Sequence, residues 1–190
     1  MAERKLSAIL VADVVGFSRL MGDNEERTLK TLTTCREIIA AHVLEHQGRV
    51  FGSAGDSVIA EFSSPVEAVR CAVAFQSTLR DRNSSVTEER RMTFRVGINL
   101  GDVIAEEDNL YGDGVNVAAR LEAIAEPGGI CISGTTYDHI KNKLTLEYGE
   151  LGEQALKLHH LVALRLGAEI ARADRIHQQD CRGGDGPAHH

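Results

Sequence analysis

The sequence predicts an α+β fold, a ferredoxin-like βαββαβ core followed by additional C-terminal elements. Three observations predict it. Short apolar runs alternate with stretches of helical periodicity along the chain. Two amphipathic helical patterns each stand between strand patterns. Between those helices, a glycine-rich Gly-Asp turn links two short strands.

The elements follow in order. Leu6 to Val15 is a nearly continuous apolar run of strand length, suited to burial on both faces. Asp23 and Glu26 form a capping-box pattern, and Leu29, Leu32, Ile39 and Val43 recur at helical spacing up to Gly48. Arg49 to Phe51 and Ser57 to Phe62 are predicted strands flanking the turn Gly52-Ser53-Ala54-Gly55-Asp56. A second helix opens at Ser64-Pro65, with Glu67 completing a capping box and proline at the first helical position. Its buried stripe is Val69, Ala72, Val73 and Leu79. After a polar loop over 83–91, Met92 to Leu100 alternates as a half-buried strand, and Gly101-Asp102 is predicted to turn it into Val103-Ile104-Ala105. A third helix covers Asp113 to Ala125 and stops at Pro127-Gly128-Gly129; Ile130-Cys131-Ile132 is a short strand, and Ser133-Gly134-Thr135-Thr136 can start a further helix through Lys141. Two helices are expected against one sheet face.

Composition bounds the function. The 190 residues suffice for one domain with a core of ordinary size, built from Val, Ile, Leu and Ala because aromatics are only 4% and Trp is absent. A net charge of -7 argues against binding a nucleic acid polymer, which needs a basic stripe; a few positive groups in one cleft still suffice for a triphosphate. Cys35, Cys71, Cys131 and Cys181 lack metal-ligand spacing, and the first three read as small core residues. No apolar run approaches the ~20 residues of a membrane span, so the expectation is a cytoplasmic domain without membrane association. The domain is expected over residues 1–158, with 159–190 an atypical, partly disordered tail rich in His, Arg, Asp and Gly.

Two carboxylates carry the chemistry. Asp13 interrupts an apolar run, and a carboxylate buried there needs a metal, a base or N–H donors. Asp56 sits in the hairpin turn, where Gly55 permits close backbone approach. With the first strand beside that hairpin, both acids reach one sheet edge and can hold hard cations against phosphate oxygens. Separately, each has a plainer reading, Asp13 as a cap of the following turn and Asp56 as an ordinary turn residue. The strand-to-helix turn at Gly16 and Phe17 offers backbone N–H groups to phosphate. Asn116 and Arg120, four apart on the third helix, share a face; an amide and a guanidinium side by side suit a ribose oxygen and a phosphate, or simply solvent.

The segments ADVVGFSRLM, GDSVIAEF, FRVGINLGDVI, YGDGVNVAARLEAIAEPGGICISG and LGEQALK, in this order, resemble the class III adenylate/guanylate cyclase catalytic domain of the bacterial soluble type, over roughly Leu6 to Lys157. The resemblance implies the nucleotide cyclase fold and conversion of ATP, with GTP possible, to a 3′,5′-cyclic nucleotide and pyrophosphate. It implies that Asp13 and Asp56, with the Val14 carbonyl, hold two divalent cations, Mg²⁺ or Mn²⁺. Asn116 would orient the ribose, Arg120 would stabilise charge on the α-phosphate, and Lys157 would bind the triphosphate. It further implies a homodimer, with the aspartates of each site from one chain and the Asn/Arg pair from the other.

The sequence departs from the family in two places. Adenylate-specific members place a lysine where Gly52 stands, and an Asp or Thr where Asn109 stands, beside Asp108. Asn can donate and accept, so it can read either purine, and loss of the lysine weakens discrimination. After Lys157, Leu161, Leu164, Leu166 and Ile170 read as a helix where relatives continue with a strand. These departures keep open a second reading, a cyclase-like module that binds nucleotide but turns it over poorly. A third is a ferredoxin-like interaction domain.

Overall fold

In a computed structural model, the N-terminal apolar run forms β1 (Glu3–Val14), the strand around which the sheet is arranged. The structure describes residues 3–51, 55–106, 109–146, 148–150 and 161–164. Strand β1 pairs antiparallel with β3 (Val58–Phe62) on one side and with β4 (Phe94–Glu106) on the other. Strand β2 (Arg49–Phe51) adds outside β3, and β6 (Ile130–Ser133) pairs parallel with β4. The order β2-β3-β1-β4 is that of a ferredoxin-like sheet, and β5 (Asn109–Tyr111) folds back on the end of β4.

Beyond β6 the sheet continues with β8 (Leu161–Leu164) and β7 (Tyr148–Glu150), both antiparallel. The helical reading of the segment after Lys157 is therefore corrected at these four residues. Leu-Val-Ala-Leu carries no polar position to mark a period, and the open edge of β6 supplies the ladder partners that local propensity does not. The sheet thus extends past residue 158. The rest of the segment from 151 onward lies outside the described residues, as does Cys181.

Alternation along β1 divides the molecule into layers. Ala8, Leu10, Ala12 and Val14 face a core shared with α2 (Glu25–Glu45) and α3 (Pro65–Ser84), the two helices on one face. Phe62, Phe75, Phe94, Ile98 and Ile132 are fully buried there, each contributing about 1.5–3 kcal/mol. Cys35 and Cys71 lie in that core and Cys131 behind the opposite face, all free thiols, as expected for small apolar residues. Ile9 and Val11 point the other way, against Val103 of β4 and Ala118 of α4 (Asp113–Ile124). Asp13 continues that odd-numbered row, so it opens on the α4 side of the sheet.

Local signals explain most helix ends. Ser64 caps α3 by accepting from the Glu67 amide, with Pro65 in the first turn. Ser133 caps α5 (Gly134–Ile140) through the Thr136 amide. The cap of α2 is Asn24, accepting from the Arg27 amide at 2.9 Å, one residue after the Asp23 that sequence suggests. Asp23 instead ends α1 (Phe17–Asp23), a short helix with no side-chain cap. The turn expected at Gly101-Asp102 is absent. Both residues continue β4 because Ser7 and Leu6 of the long β1 lie opposite them.

One contact fixes α4 against the sheet. A Cβ at Gly97 would land on the Ala118 carbonyl oxygen and the Glu122 amide nitrogen, so helix backbone lies directly on strand backbone. The buried Asn99 amide ties the start of α4 down by donating to the Gly114 carbonyl at 3.1 Å. We expect Gly97→Ala to destabilise the protein by about 3 kcal/mol, through a clash that neither backbone can relieve. Urea unfolding of the two proteins checks this.

Candidate active site

The last residues of β1 and the hairpin between β2 and β3 meet on the α4 side. Ser57 donates a 2.8 Å hydrogen bond to Asp13 Oδ1. Arg36 of α2 donates to the Gly55 carbonyl, bracing the turn that presents Asp56. The Asp56 carboxyl is pushed above its usual range, first by burial and then by the Asp13 charge and a hydrogen bond between the two carboxyls. Hydrogen bonds from its own backbone N–H and from Val14 pull the other way. Asp13 and Asp56, far apart in sequence, are therefore close neighbours in space. Two oxygen donors this close, with the Val14 backbone beside them, are a donor set that fits a hard divalent cation.

Two further charges belong to the group, and sequence reasoning missed both. Arg95 lies directly opposite Asp13 in the β1–β4 register; its Nε is buried with no hydrogen-bond partner among the described residues. Glu122, on the inner side of α4, is pushed up to about 7, chiefly by burial and next by the Asp13 charge. Arg95 opposes that rise and Asp56 adds to it. The signals were a guanidinium in the strand pattern FRVGINL and an acid four residues after Ala118 on the buried face of α4.

Asn116 and Arg120 stand elsewhere. Both are exposed, on the side of α4 turned away from Ala118 and Leu121. Among the described residues, no hydrogen bond or ion pair joins either to Asp13, Val14, Asp56 or Ser57. The structure thus brings together the acidic half of the expected site and leaves the Asn/Arg half on the molecule's outer surface. Gly16, in the left-handed region at φ 66°, and Phe17 head α1, where first-turn amides have no intrahelical acceptor. Gly52 and Lys157 lie outside the described residues, and Asn109 is described only as a β5 backbone position.

The family model for the adenylate and guanylate cyclase catalytic domain matches residues 2–165. The chain belongs to that family. The cyclase domain is 44% identical over 156 residues to a Rhizobium meliloti (strain 1021) protein named "Putative adenylate cyclase 3", covering 81% of this chain and 26% of that protein. It is 30% identical over 133 residues to an adenylate cyclase of Streptomyces coelicolor, covering 70% of this chain and 33% of the other. It therefore spans about a quarter to a third of the length of these two relatives. Its fold is similar to the crystal structure titled adenylate/guanylate cyclase/hydrolase from Silicibacter pomeroyi, with a TM-score of 0.78 and 36% identity over 86% of this chain and 96% of that one. No helix among the described residues of the cyclase domain is long and apolar enough to cross a membrane.

The raised carboxyl of Glu122 has a thermodynamic consequence. Its folded-state value lies above the ordinary 4.5, so its contribution to stability is fully present below pH 4.5 and is lost as pH rises through about 7. Discounted for its partial exposure, we expect Glu122→Gln to stabilise the metal-free protein at pH 8 by about 1 kcal/mol. That corresponds to a rise of about 3 °C in melting temperature, and the gain should vanish at pH 4.5. Thermal melts in EDTA at the two pH values check it.

Proposed function

We propose that the domain converts a purine nucleoside triphosphate, ATP in preference to GTP, to its 3′,5′-cyclic nucleotide and pyrophosphate, at sites shared between two copies of the chain. The observation that carries this reading is the split of the polar set: paired carboxylates within one chain, and an exposed Asn116 and Arg120 on the helix beside them.

In this reading Asp13, Asp56 and the Val14 carbonyl hold two divalent cations, Mg²⁺ or Mn²⁺. When bound, these would lower the pKa of the ribose 3′-hydroxyl and neutralise phosphate charge. The chain's own groups do the rest. The amides of Gly16 and Phe17 donate to phosphate oxygens at the head of α1. Asn116 of a second copy holds the ribose so that its 3′-oxygen faces the α-phosphorus, selecting the reactive conformer for an attack within the same nucleotide. Arg120 of that copy donates to the α-phosphate oxygens, where negative charge grows as the new P–O bond forms and pyrophosphate leaves. Ser57 keeps the Asp13 carboxylate oriented through its 2.8 Å hydrogen bond. Lys157 is proposed to bind the triphosphate, and Asn109, with Gly52 lacking a side chain, to read the base loosely. A single domain that includes β8 and so runs past residue 158, with a cytoplasmic location, is part of the proposal.

The test is cyclisation of ATP and of GTP with Mg²⁺ or Mn²⁺ across a range of protein concentrations. Cyclic product should form faster than linearly in protein, with ATP preferred. Nucleotide-dependent thermal stabilisation without product would instead mark a binding module. Asp13→Ala and Arg120→Ala should each lower turnover by at least about a thousandfold. An equal mixture of the two variants should recover about a quarter of the wild-type rate, because half of the dimers contain one intact site. No recovery would overturn the shared-site reading while leaving the reaction itself intact.

A further inference from the structure

A second cluster of ligating side chains lies on the helical layer opposite α4. The last turns of α2 carry His42, Glu45 and His46, and one donor atom from each lies within 4.8 Å of the other two. His42 and His46 are one helical turn apart, so their rings project from the same side. Across the groove, α3 presents Thr78 and Glu67 to the two rings.

Thr78 Oγ1 lies 3.0 Å from His42 Nε2 and holds that side of the ring in place. His42 Nδ1, shielded from solvent, faces Glu45 Oε2 at 3.5 Å. An imidazole nitrogen and a carboxylate oxygen are both ligand atoms for a divalent cation.

Two ligands bonded at about 2.0–2.1 Å with tetrahedral angles stand about 3.3 Å apart, close to the observed separation and too long for a strong hydrogen bond. His46 completes the set. Its Nδ1 lies 2.9 Å from Glu67 Oε2, and Glu67 is itself held by Arg70 at 3.0 Å. Thr78 and Glu67 thus play the part that outer partners play around metal-bound histidines, orienting each ring.

We propose that His42, Glu45 and His46 form a divalent transition-metal site, for Zn²⁺ by its two imidazoles and one carboxylate, that braces the end of α2 beside α3 on the side of the sheet opposite α4. A fourth position stays open to water, because Glu45 is 65% exposed. Two imidazoles favour Zn²⁺ over Mg²⁺, which takes oxygen ligands, so this site is distinct in chemistry from the Asp13–Asp56 pair.

The experiment is a Zn²⁺ titration of the full chain against a chromophoric chelator in excess Mg²⁺, for wild type, His42→Ala, His46→Ala, Glu45→Gln and Asp56→Asn. We expect each histidine variant to lose one equivalent of Zn²⁺ that Asp56→Asn retains, and Glu45→Gln to bind it about tenfold more weakly. Co²⁺ in place of Zn²⁺ should give visible bands of a low-coordinate site that His46→Ala lacks. Equal stoichiometry and affinity in wild type and both histidine variants would overturn the assignment. Loss of the equivalent in Asp56→Asn alone would overturn it too, moving the metal to the carboxylate pair. Glu45 is exposed, so Glu45→Gln keeps the fold; unchanged affinity in that variant refutes the site even where a histidine variant fails to fold.

Discussion

Everything in this domain is placed by the antiparallel pairing of β1 with β4, which runs from Glu3 opposite Ala105 to Val14 opposite Phe94. A register with period two leaves no freedom about which side chains face which layer. It sends Ala8, Leu10 and Ala12 into the α2–α3 core and Ile9 and Val11 beneath α4. At the end of the same ladder it sets Asp13 beside Arg95. A slip of one residue would bury the acid among Phe62 and Phe94 and turn the apolar row outward. The apolar core therefore enforces the position of the carboxylate, and the two cannot be varied independently.

The electrostatic character of the site follows from that placement. Three acids, Asp13, Asp56 and Glu122, share a partly desolvated region with one guanidinium, Arg95, whose Nε lacks a hydrogen-bond partner among the described residues. Such a set is unfavourable to a folded chain on its own, and burial makes it more so. It becomes favourable when positive charge arrives. Stability is thereby traded for a local field suited to cations, a recurring property of functional sites.

How much of this was legible in the sequence depended on whether the deciding forces were local. Ser64, Pro65 and Glu67 announce the start of α3 because their hydrogen bonds stay within four residues. Asp23 and Asn24 are both good caps in adjacent positions, and only the end of α1 decides between them. Gly101-Asp102 reads as a turn until a partner strand of equal length lies alongside, and Leu161 to Leu164 reads as helix until the open edge of β6 does the same. Asp13 stood out as an acid in an apolar run. Arg95 and Glu122 did not, because a polar residue in an alternating strand or on a helix ordinarily faces water. The β1–β4 register sets Arg95 beside Asp13, and the crossing of α4 over Gly97 brings Glu122 to the same group.

The contact at Gly97 has a mechanical meaning as well. Most helices ride on a sheet through a cushion of side chains that can shift rotamers and absorb small displacements. At Gly97, α4 has no such cushion: its Ala118 carbonyl and Glu122 amide bear on the strand itself. Helix and strand consequently form a single stiff plate, with the acids seated on one side and Asn116 and Arg120 on its rim. A push on the rim is therefore felt at the strand that carries Arg95, with no rotamer changes between helix and strand at Gly97 to absorb it.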